Sequence, residues 1–87
     1  MIKSVADYFS VADTDLPEIV DLRYLEAPEP IEKILTACAL LEPDEYFLAR
    51  LPHVPFPLFP LLESRALIWQ ICEEAENSVL ILIRKGP

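Results

Sequence analysis

Eighty-seven residues allow one small domain, and 7 basic against 15 acidic side chains leave a formal charge of −8. So acidic a chain has no net attraction for phosphate backbones or anionic lipid, which argues against nucleic acid and membrane surfaces as partners. A hydrophobic fraction of 53% with 25% charged residues supplies a core and argues against intrinsic disorder.

Residues 1–18 differ from the rest of the chain. Ile2, Val5, Ala6 and Phe9 recur at the spacing of one helical stripe, and Ser4 with Asp7 resembles a capping box. The stretch Ala12 to Glu18 is polar, holds Pro17 and reads as a linker. From residue 19 the pattern alternates. Ile19 to Arg23 is a short strand with Val20 and Leu22 on one face and Asp21 and Arg23 on the other. Glu26-Ala27-Pro28-Glu29-Pro30 forces an extended turn, because a residue before proline avoids the α region. Pro30 suits the first turn of a helix, and Ile31, Ile34, Leu35, Cys38 and Leu41 form its apolar stripe until Glu42-Pro43-Asp44.

Tyr46 to Leu51 is the second strand. A stiff Leu51–Phe56 segment leads to a short second helix, about Pro57 to Ser64, in which Pro60 is tolerable only within the first turn. Leu67 to Glu73 and Val79 to Arg84 are the third and fourth strands, joined by a turn over Glu74 to Ser78. The order β-α-β-α-β-β predicts an α+β fold: a two-layer sandwich with two helices on one face of a four-stranded mixed sheet. Both faces of the last two strands are apolar, Leu67, Trp69 and Ile71 on one side and Ile68 and Cys72 on the other. A solvated antiparallel face alternates with polar residues instead. The second face therefore needs a cover, supplied by the N-terminal segment, a second copy or a protein partner.

Several chemistries lack their residues. No Pro-free apolar run approaches the roughly 20 residues of a membrane helix, and Asp7 interrupts the N-terminus before any signal-like stretch. Cys38 and Cys72 form no C-x-x-C, so a cytoplasmic protein with free thiols is expected. The single glycine is Gly86, which leaves no phosphate-cradling loop. His53 is the only histidine and has no ligand partners at metal spacing, so neither a metal nor another cofactor is expected.

Asp21-Leu22-Arg23-Tyr24-Leu25-Glu26-Ala27-Pro28-Glu29-Pro30 resembles the D-L-R-G-L-x-C-P-x-P signature of the TusA/SirA sulfur-carrier family. The proline-rich Leu51 to Leu62 segment is more similar to a TusA-like sister branch of unknown function, often found beside hemerythrin-like domains in bacteria. The resemblance spans about residues 19 to 85 and implies the same β-α-β-α-β-β sandwich. It also implies a carrier cysteine just before the first helix, where the dipole and free N–H groups favour a thiolate. That position is Ala27, and a methyl group holds no sulfur.

Neither thiol is an obvious substitute. Cys38 lies on the apolar stripe and should be buried, and Cys72 precedes Glu73 and Glu74, whose charges raise a thiol pKa. Arg50 and His53 stand in the least acidic stretch, beside a helix N-terminus, and form a candidate anion or ligand site. Glu26, Glu29 and Glu32 suit the helix macrodipole better than catalysis, Asp21 and Arg23 suit an ion pair, and Trp69 and Tyr46 suit packing. These residues predict a non-catalytic module that docks a protein partner, or associates with itself, through the edge from Arg23 to Pro30 and the apolar sheet face. The alternative is a sulfur-trafficking or redox-linked protein that binds a sulfur species or small ligand.

Overall fold

In the computed structural model, which describes residues 4–86, one mixed sheet runs in the order β1-β2-β4-β3. Its strands are β1 (Val20–Asp21), β2 (Tyr46–Leu51), β3 (Leu67–Ala75) and β4 (Ser78–Lys85). β1 is parallel to β2, whereas β4 lies antiparallel between β2 and β3. Three helices accompany them, α1 (Val5–Phe9), α2 (Glu29–Cys38) and α3 (Phe59–Ser64). The β-α-β-α-β-β order and the two-layer α+β arrangement agree with the sequence reading.

Alternation along β4 divides the core in two. Ile81 and Ile83 join Ala49, Leu51 and Leu67 under Ile34 and Cys38 of α2 and Leu62 of α3. Leu80 and Leu82 face the other way, with Leu48, Cys72 and Phe9 of α1. All four of these β4 residues are buried, so this strand is sealed on both sides. The cover expected for the second face comes from the chain itself: Val5, Phe9, Val11, Leu16 and Ile19 pack there. Ser4 caps α1 by accepting from the Asp7 amide at 3.1 Å, and Ser10 ends it with φ of 58°. Ile2 of the expected stripe lies outside the described residues.

The boundaries shift where neighbours override local pattern. The linker after α1 contains a 3-10 turn, Asp13–Asp15, and anchors Leu16 rather than hanging free. β1 stops after Asp21 because the Asp21 carboxylate accepts from the Arg23 amide, turning the chain; Val20 is left exposed on the edge strand while Leu22 is buried. α2 ends at Cys38, three residues before buried Leu41, which a turn returns to the core. The second helix is split into a 3-10 turn, Phe56–Leu58, and α3, because Pro57 and Pro60 remove amide donors; Pro60 occupies the first turn of α3. β3 and β4 outrun the expected turn and meet at Ala75 and Ser78, with Asn77 at φ of 62° between them. Ser78 Oγ donates to the Glu74 carboxylate at 2.8 Å, which ties residues expected in the turn into the hairpin.

Candidate functional site

Two adjacent parallel strands end at the same edge of a sheet, so the loops leaving β1 and β2 must emerge side by side. The first loop turns at Leu22 to Leu25, where the Leu25 amide donates to the Leu22 carbonyl at 3.2 Å. It then crosses a cis Ala27–Pro28 peptide into α2. The second runs from Leu51 through Pro52 and Pro55 into the Phe56–Leu58 turn, where the Leu58 amide donates to the Pro55 carbonyl at 2.9 Å.

Between them lies a cleft of about 190 Å³. Leu25, Ala27, Pro28 and Ile31 form one wall, His53, Val54, Pro55 and Pro57 the other, and Ile34 and Leu51 lie at its base in the core. His53 is the only polar side chain among the lining residues. Five of the chain's nine prolines line the cleft, so much of its wall has fixed φ and no amide to satisfy. Little ordering cost remains for whatever enters.

Two large apolar side chains stand outside it. Tyr24 is 77% exposed and Phe56 71% exposed. Phe56 is not a loose ring. It meets Phe59 edge-on at 5.8 Å, and Phe59 stacks on Trp69 at 5.2 Å, so a chain of aromatics ties the exposed ring to β3. Trp69 is thus a packing residue, as its place in the strand suggests.

The residues singled out by sequence fall into three groups. Ala27, Pro28, Pro30 and His53 are brought together in the cleft, although 26 positions separate Ala27 from His53. Glu26 and Glu29 are exposed, with the Glu29 amide donating to the Glu26 carbonyl at 3.0 Å. The charged residues form ion pairs elsewhere. Asp21 accepts from Arg23 Nη2 at 2.7 Å and Nε at 3.0 Å, and these hydrogen bonds hold its carboxyl down to about 2. Arg50 grips Glu74 through Nε at 2.8 Å and Nη2 at 3.1 Å, lowering the Glu74 pKa. Arg50 lines no wall of the cleft that holds His53, and its guanidinium is paired with the Glu74 carboxylate.

Both thiols are free and buried. Burial pushes Cys38 up to about 11, and burial followed by the Glu74 charge raises Cys72. Sequence reasoning missed the exposed pair Tyr24 and Phe56 and the meeting of Ala27 with His53. The signal available was topological: a parallel first pair of strands puts both loops on one edge.

A family model described as an uncharacterized conserved protein, DUF2249, matches residues 19–85. The chain belongs to the DUF2249 family. Both loops of the cleft lie within the match, whereas α1 and the segment after it precede it. The family carries no assigned activity, and the match by itself draws no connection to the sulfur carriers. A search of curated proteins finds no match. Among the described residues, no helix is long and apolar enough to cross a membrane.

Proposed function

We propose that this DUF2249 protein is a non-catalytic binding module of the cytoplasm that docks a protein partner through the cleft around Ala27. The observation that carries the reading is the composition of that cleft. At the position where the resembling TusA/SirA carriers hold their cysteine there is an exposed methyl group, flanked by prolines and aliphatic side chains. Such walls suit an apolar side chain delivered by a partner, and Tyr24 and Phe56 outside them extend the apolar surface. A sulfur-carrying role is less well supported, because neither remaining thiol is exposed or has a lowered pKa.

A photo-crosslinking residue placed at Phe56 tests the docking. Leu40, which is 78% exposed and lies beyond α2, serves as the control for an apolar side chain outside the cleft. In cells of the native source, a discrete protein adduct is expected from position 56 and not from position 40. That adduct should disappear when Ala27→Trp fills the cleft. Equal labelling from both positions, or an adduct that survives Ala27→Trp, overturns the proposal.

A further inference from the structure

A second cleft, of about 260 Å³, opens on the opposite face of the sheet beside α1. Its making follows from register. Arg84 of β4 lies between Tyr46 of β2 and Ile68 of β3, and Leu82, two residues earlier, lies beside Gln70. Phe9 of α1 closes the near side. The cleft therefore has aliphatic and aromatic walls and four polar side chains, Ser10, Tyr46, Gln70 and Arg84, of which Ser10, Gln70 and Arg84 are exposed.

Arg84 and Arg65 differ from the other two arginines. Arg23 and Arg50 each grip a carboxylate, at 2.7 and 2.8 Å, and Arg65 donates to the Leu61 carbonyl at 3.2 Å. Arg84 reaches only the carbonyl of its neighbour Lys85, at 3.5 Å, and has no carboxylate among the described residues. Of the two arginines without a carboxylate among the described residues, Arg84 is the one that lines this cleft. Neither Tyr46 nor Gln70 makes a side-chain hydrogen bond among the described residues. Tyr46, Gln70 and Arg84 thus line one cleft of mixed polarity with hydrogen-bonding capacity that no carboxylate of the described residues takes up.

We infer that this cleft binds a small amphipathic monocarboxylate, with Arg84 taking the carboxylate as a two-pronged pair and Phe9, Ile68 and Leu82 taking an apolar body. Guanidinium geometry matches a carboxylate, and Gln70 and Tyr46 supply further donors. Size sets the body. The cavity is larger than the about 150 Å³ that encloses benzene and smaller than the about 300–1,000 Å³ of drug-sized pockets. One aromatic ring or a short acyl chain fits; a nucleotide does not. With a net charge of −8 the chain attracts no anion at long range, so both the cation and the apolar walls are needed.

Phenylacetate is the probe, with acetate and benzyl alcohol as its two halves, titrated into the full-length ¹⁵N-labelled protein. Phenylacetate should give saturable amide shifts at residues 9–11, 46, 68–70 and 82–84, with Kd of about a millimolar. Each half should bind about tenfold more weakly or worse, and Arg84→Gln should weaken phenylacetate by about tenfold while leaving benzyl alcohol unchanged. Amides around α2 should not move in Arg84→Gln, which establishes that the variant keeps its fold. Shifts that fail to saturate, that are matched by acetate, or that persist in Arg84→Gln overturn the assignment.

Discussion

The two faces of the sheet are covered in different ways. On one, α2 and α3 are joined to the strands by short connections within residues 19–85, and their side chains interlock with Ala49, Ile81 and Ile83, all fully buried. On the other, the cover is a five-residue helix and an irregular segment whose backbone hydrogen bonds are local, such as Tyr8 to Ser4 and Asp15 to Ala12. No backbone hydrogen bond outside regular elements joins described residues 4–18 to the sheet. That segment is held by side chains, chiefly Phe9, and it lies outside the family match. An equally apolar strand face can thus be closed by an integral layer or by a strap, and the two should respond differently to damage.

The largest effect is expected on the helix side. Ile34→Ala empties a fully buried position between α2 and the sheet and should cost about 2–5 kcal/mol, read from the denaturant midpoint. Phe9→Ala tests the strap. The loss is bounded by undocking of the segment, so about 1.5–3 kcal/mol is expected, from the burial of one phenylalanine. Its signature is local: thiol labelling of Cys72, which the strap helps to bury, should accelerate while Cys38 stays protected. Equal acceleration at both cysteines would mean that the two faces unfold as one unit.

The smallest effect is electrostatic. Asp21 has its pKa lowered from 3.8 to about 2 by Arg23, and Glu74 is lowered by Arg50. Lowered carboxyl pKa values stabilise the fold above their ordinary values, and that contribution is lost as pH falls through the folded ones. Stability should therefore decline between about pH 4 and pH 2, and Asp21→Asn should flatten part of that decline in acid titrations followed by circular dichroism.

Much of this arrangement was legible in the residues. Alternation placed Leu67, Trp69 and Ile71 opposite Cys72, the bounds of β2 followed from its flanking turns, and the stripe from Ile31 foretold the burial of Cys38. Greasy residues on both faces of β4 announced a second cover. Two of the misses depend on neighbours distant in sequence, and one, the shortening of β1, on a local turn. β1 shortens because a carboxylate two residues back captures the Arg23 amide, Arg50 is drawn to Glu74 across the sheet, and Ala27 meets His53 only because two strands run parallel. Local spacing carries no record of the two distant encounters.

Titration of the two thiols in the folded, full-length protein tests most directly whether this chain works without a nucleophile. Below pH 8 neither Cys38 nor Cys72 should react faster than a thiol of ordinary pKa, and both should label fully once denatured, since Cys38 is pushed up to about 11 and Cys72 is raised. A fast thiol with a lowered pKa, loading and releasing sulfur from a persulfide donor, would contradict the account and return the protein to the carriers its sequence resembles.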